Sequence, residues 1–437
     1  MSEEQKVSTL VDRIRRNLTW LFSSQVAISL IGLMTLAVTA RALGATNIGI
    51  LTLAEAVTLI VGRVLHFEPW QAVIKYGTEA LEEGDFDRFR RLIKFSIAVD
   101  VSGGLLAGLT AILIASIIAP LVSLPVSDGA AYISALALGL FFPLRPTAVA
   151  VLRIHDRFDR LAIIDVGISV VRLVVSIICL ALGLGLWAFI GLLILQYFLN
   201  GTLPFAMAMH ELRARDQGGC MSLSLRPVFK ENPGLFRFLW NSNVNVILRQ
   251  STQRLDVLFV GALLNPTSVG FYQIGKRIMT STVKLGGTLR QVLFPEMARL
   301  LASGQPERFW TLLRKVTLGT SIFSAAVFVF IGLNMAYFVE LFFGPDFRNA
   351  VPAINILFFT SMTYLATILL NPAMLCLGLD SALVRISTVA TMVFAAAFVP
   401  LTYYLDVEGS ASAHALYNLI WISFCVLSLR RIKENGA

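Results

Sequence analysis

The chain has 437 residues, of which 56% are hydrophobic and only 14% charged, with a formal net charge of +9. This composition excludes an ordinary soluble enzyme and points to a polytopic membrane protein. The positive excess fits basic loops on one side of a membrane, so no nucleic-acid partner is expected.

Met1 to Arg16 is polar and basic, and the apolar run that follows continues to Thr39 without a small-residue cleavage pattern. The first helix is therefore expected to be retained rather than removed as a signal peptide. Hydropathy predicts about twelve spanning helices, near 18–39, 47–66, 93–118, 129–151, 161–182, 185–208, 238–263, 268–294, 315–338, 350–374, 382–405 and 410–429. Pro143, Pro146, Pro204, Gly286, Gly287 and Pro372 interrupt several of them, as is usual in transporters, where neighbouring helices re-satisfy the freed backbone groups.

The loops set the orientation. Arg13, Arg15 and Arg16, Arg88, Arg90 and Arg91, Arg153, Arg157 and Arg160, Arg213, Arg215 and Arg226, and Arg430, Arg431 and Lys433 all fall on the side of the N-terminus. The opposite loops hold only Arg41 and Arg348. Both termini are expected in the cytoplasm, with an even number of spans.

The two halves of the chain repeat each other at an offset of about 220 residues, LEEGDFDRFRRLIK at 81–94 answering LASGQPERFWTLLR at 301–314. Ile48-Gly49 matches Val269-Gly270, and Arg63 then falls opposite Lys284. An even number of helices per half makes this a parallel repeat. The expected architecture is an all-α polytopic membrane protein with two six-helix lobes around a central cavity: 1–210, a cytoplasmic linker at 211–236, and 237–437.

The unusual feature is charge inside the spans. A cation at membrane depth costs about 2.5–3.5 kcal/mol on insertion scales. Yet 239–263 carries Arg249 and Arg254, and 271–294 carries Lys276, Arg277, Lys284 and Arg290. Asn241, Asn245, Arg249, Gln253 and Asp256 share one helical face, within about 120° of one another. Tyr272, Lys276, Thr280, Lys284 and Gln291 share another. The first half is less charged: Gln25, Glu55 and Arg63, Asp100, Arg145, and Asp165 with Arg172. Glu55–Arg63 and Asp165–Arg172 fit ion pairs that hold helices together.

Nine intramembrane cations (Arg63, Arg145, Arg172, Arg249, Arg254, Lys276, Arg277, Lys284, Arg290) outnumber four acids (Glu55, Asp100, Asp165, Asp256). The excess predicts a wet cavity for an anionic ligand, with Asn241, Asn245, Gln253, Gln291 and Gln25 as its polar lining and the acids as ion-pair or coupling groups. Arg matches phosphate geometry bidentately, and Lys adds a point charge.

Neither a phosphate-binding G-x-x-x-x-G-K-[ST] loop nor a nucleophile–base pair is visible, so no ATPase, enzyme or cofactor is expected. The four cysteines and four histidines are scattered, so neither disulfides nor a metal site is expected.

ARALGATNIGIL at 40–51 and RLDVLFVGALLNPTSVGFYQIGKRI at 254–278 resemble the polysaccharide transporter family. These are the O-antigen and exopolysaccharide flippases of the multidrug/oligosaccharidyl-lipid/polysaccharide exporter superfamily. Leu43-Gly44, Gly49, Asp256, Gly261, Gly270, Tyr272 and Phe294-Pro295 carry the likeness, and FFGPDF at 342–347 is similar to the family's equivalent loop. The resemblance implies alternating access between two lobes. Its cargo would be an undecaprenyl-pyrophosphate-linked oligosaccharide, moved from the cytoplasmic to the periplasmic leaflet of the bacterial inner membrane. The implied partners are that lipid-linked substrate, the membrane lipids, and polysaccharide polymerase and chain-length proteins. Two readings compete: a multidrug/cation antiporter of the same superfamily, which should present carboxylates to its cargo, and an integral-membrane polysaccharide polymerase.

Overall fold

The computed structural model describes residues 3–67, 69–125 and 127–434, with side chains throughout except at 3–18, 21, 244–254, 285, 288 and 292. The described residues are almost entirely helical: α1 (Glu3–Leu65), α2 (Trp70–Glu82), α3 (Phe86–Leu121), α4 (Gly129–Ala137), α5 (Arg145–Ile154), α6 (Phe158–Ala181), α7 (Leu186–Ala214), α8 (Val228–Glu231), α9 (Leu235–Leu263), α10 (Pro266–Ala302), α11 (Pro306–Val327), α12 (Met335–Phe343), α13 (Val351–Ala366), α14 (Leu370–Cys376) and α15 (Asp380–Glu434).

Eight stretches among the described residues are long and apolar enough to cross a membrane. Two of these bend in the middle, and each half is long enough for a pass of its own. α1 breaks at Gly44, where φ is 70° and ψ 175°, a backbone region that glycine alone enters without strain. α15 breaks at Leu405–Asp406. α9 and α10, of 29 and 37 residues, are less apolar but also long enough to cross, which fits the twelve passes expected from hydropathy.

Local sequence explains the interruptions. Pro143 and Pro146 lack the N–H that would continue a helix, and the chain leaves helical geometry between η-turn 138–141 and Arg145. α2 lies in what hydropathy reads as a loop. Its apolar residues recur at helical spacing, and Ala72, Val73, Tyr76, Gly77 and Ala80 are buried. Asp85 caps α3 by accepting from the Arg88 N–H at 2.9 Å, which satisfies one of the open donors of a helix start.

Contacts divide the chain into two compact units. The residues up to Ala42 with Ile50–Leu258 form the first; Leu43–Gly49 with the residues from Phe259 onward form the second. In the first, α3 packs on α2 and α4, and α5 on α2 and α7. Its core gathers Val73, Phe89, Ile93, Val151 and Leu212. Cys220, Val228 and Leu235, from the stretch expected as a linker, are buried in that same core. In the second, α13 packs against α10, α11 and α15, around a core that includes Met297, Phe309, Leu369, Met374 and Cys425.

Leu43–Gly49 docks on α10 at backbone distance. A Cβ on Gly49 would lie 1.6 Å from the Pro266 carbonyl oxygen, and one on Gly270 would lie 2.1 Å from that of Ala45. The Thr46 and Thr267 hydroxyls bond beside this crossing at 2.8 Å.

Candidate functional site: the intramembrane charges

In the first unit the acids are engaged locally. Arg145, at the start of α5 just after the helix break, reaches both carboxylate oxygens of Asp165 on α6 at 2.9 Å. Its other terminal nitrogen donates to Asn200 on α7 at 3.1 Å. Asp165 thus pairs with Arg145 and not with Arg172, the partner suggested by helical spacing. A helix-face pattern identifies residues on one helix, whereas the helix break carries Arg145 to this acid from another element.

Asp100 on α3 is fully buried. One carboxylate oxygen lies 3.2 Å from His66 Nε2. The other accepts from the Thr147 backbone N–H at 3.1 Å and from the Thr147 hydroxyl, which is itself bonded to the Ser96 hydroxyl. His66 follows the end of α1 and Thr147 lies in the first turn of α5, so this acid ties together two places where transmembrane helices break. Glu55 accepts from the Tyr197 hydroxyl at 3.0 Å. Gln25, Arg63 and Arg172 are half-buried.

On α9, Asp256 is buried and Asn241 is exposed. The side chains of Asn245, Arg249, Gln253 and Arg254 lie outside the described residues.

In the second unit, α10 holds Lys276, Arg277 and Arg290 half-buried, and Lys284 and Gln291 exposed. Between Pro266 and Phe294 this helix contains no acid at all. The Lys276 ammonium sits 5.8 Å from the ring centre of Tyr272. That ring is fully buried, with its hydroxyl 2.7 Å from His414 Nε2 on α15. The tyrosine is fixed in place, and its π-face is turned to a cation.

His66, Thr147 and His414 escape sequence reasoning because each meets its partner across 34, 47 and 142 positions. No metal-binding cluster of His, Cys, Asp or Glu occurs among the described residues.

Long apolar helices, several of them broken, that carry charged side chains define a polytopic helical membrane protein. Solved structures with this fold include the lipid II flippase MurJ in an inward closed conformation, at TM-score 0.69 and 12% identity over 94% of this chain and 87% of that one. A multidrug resistance MATE transporter of the MOP superfamily, in an inward-facing conformation, is similar at TM-score 0.64 and 14% identity, over 96% of both chains. Among curated proteins, the inner membrane protein YghQ of Escherichia coli (strain K12) is 26% identical over 341 residues, 77% of this chain and 94% of the relative. The model of the family described as polysaccharide biosynthesis protein matches residues 38–352. The chain belongs to that family.

Proposed function

We propose that this protein is a flippase that moves an undecaprenyl-pyrophosphate-linked oligosaccharide from the cytoplasmic to the periplasmic leaflet of a bacterial inner membrane, for cell-surface polysaccharide synthesis. The observation that carries this reading is the charge of α10. Four cations lie between Pro266 and Phe294 with no acid among them, while Asp165 pairs with Arg145 and Asp100 with His66 in the first unit. An excess of positive charge at membrane depth is stabilised by water and an anionic ligand. A pyrophosphate offers the acceptor oxygens that Lys and Arg bind best.

The cycle runs by alternating access. Arg249, Lys276, Arg277 and Lys284 attract the pyrophosphate from the cytoplasmic side, Asn241, Asn245, Gln253 and Gln291 meet the sugars, and the polyprenyl tail stays in lipid. Polymerase and chain-length proteins then act on the delivered cargo. A cation antiporter of the same fold should carry an acidic interior, and α10 has the opposite sign.

Reconstituted proteoliposomes supply the test. A labelled undecaprenyl-pyrophosphate oligosaccharide should be flipped by the intact protein. Lys284→Ala and Arg249→Ala, checked for folding, should slow transport at least tenfold. Absence of flipping together with efflux of a cationic dye would overturn the flippase in favour of the antiporter.

A further inference from the structure

A cavity of about 560 Å³ opens in the first unit, between α2 and the start of α9. Pro233 and Gly234, in the turn that leads into α9, form part of its wall. Two cations line it, Lys75 from α2 and Arg237 from the first turn of α9, and no acid does. The remaining polar lining is neutral: Gln71, Asn241 and Ser242.

The surrounding contacts hold this lining in place. The Lys75 ammonium rests over two rings, 4.9 Å from Tyr76 and 5.0 Å from Phe238. Tyr76 donates to the Pro233 carbonyl at 3.2 Å, and the Ser242 hydroxyl donates to the Gln71 side chain. Gly234 takes φ 80° in the turn that leads into α9.

Three acids of these segments are engaged elsewhere. Glu79 and Glu83 hold Arg88 at 3.1 and 2.6 Å, and Glu231 holds Arg91 at 2.7 Å. Neither Lys75 nor Arg237 forms an ion pair among the described residues, and both are exposed. Two cations, a helix N-terminus and three neutral hydrogen-bonding side chains around one space are the elements of a site for a phosphate group with hydroxyls attached.

We propose that this cavity binds the phosphate-bearing headgroup of a lipid, as a capture site separate from the cations of α10. It deepens the flippase reading and rests on that reading only for the source of the phosphate, which is either the diphosphate cargo or an anionic phospholipid.

The full chain in phosphatidylcholine nanodiscs, titrated with geranyl pyrophosphate and followed by hydrogen exchange, tests it. Binding of the cargo headgroup should protect the backbone of 70–82 and 233–242. Lys75→Gln and Arg237→Gln should each weaken the apparent affinity roughly tenfold, and Lys75→Arg should largely restore it. Lys284→Gln should leave this protection unchanged even where it stops flipping, which separates failure here from failure of the transport reading. Protection that appears only in nanodiscs containing phosphatidylglycerol, and still depends on both cations, assigns the site to the bulk phospholipid. No protection with either lipid, or protection that survives the double variant with its melting temperature unchanged, overturns the site.

Discussion

Asp100 illustrates how this chain carries an acid at membrane depth. Burying a carboxyl group without partners costs several kcal/mol. Three groups from two neighbours, the His66 ring and the hydroxyl and backbone N–H of Thr147, converge on its two oxygens. Leaving a buried donor or acceptor without its partner costs about 1–3 kcal/mol. Thr147→Val keeps the shape, removes the hydroxyl and also strands Ser96. It should lower stability by about that amount, read as a drop in melting temperature of the detergent-solubilised protein. A variant that melts like the parent would mean that the hydroxyl does not support the Asp100 side chain. Residue identity marks Asp100 as unusual in an apolar helix, but the neighbours that stabilise it lie 34 and 47 positions away and leave no local pattern.

At the scale of elements, the crossing of Leu43–Gly49 over α10 depends on two glycines that sit at backbone contact. Gly270→Ala places a methyl group where the Ala45 carbonyl stands. Overpacking of this kind costs about 1–3 kcal/mol, and more where only backbone can give way. Gly287, on the same helix, has nothing within 4 Å of an added Cβ. Gly287→Ala should therefore be neutral or slightly stabilising, since alanine favours the helix by up to about 1 kcal/mol. Comparing the two variants by thermal unfolding separates packing from helix propensity. Both Gly49 and Gly270 are visible in the sequence through the repeat. That repeat does not reveal that Leu43–Gly49, although it follows the first span directly, packs with the second unit. α2 was legible in principle, because its buried residues keep helical spacing. Its short length and moderate polarity hide it from a search for spans.

For the whole molecule, the charge of the proposed cargo sets the direction in which a membrane potential acts. An inside-negative potential favours outward movement of an anion by about 2.3 kcal/mol per net charge per 100 mV. A flippase that moves its diphosphate cargo without a compensating ion should therefore run faster outward when a potassium diffusion potential is imposed on proteoliposomes. A rate indifferent to the potential would show that charge is balanced within the cycle. The class, the approximate number of passes and the cation row of α10 were all readable from the sequence. Each depends on composition or on the helical period, and both are local properties.

Composition, helical period and short motifs are enough to read a helical membrane protein of about twelve passes, its family, and four cations without an acid on α10. The tertiary structure decided which charges are neutralised. Arg145 closes on Asp165 rather than adding to the cationic excess, His66 meets Asp100, and Lys75 and Arg237 come to share one cavity. The physical reason is distance along the chain. A helical face can be inferred from spacing of three and four, but a partner on another helix is chosen by packing, and packing is decided only when the helices have assembled.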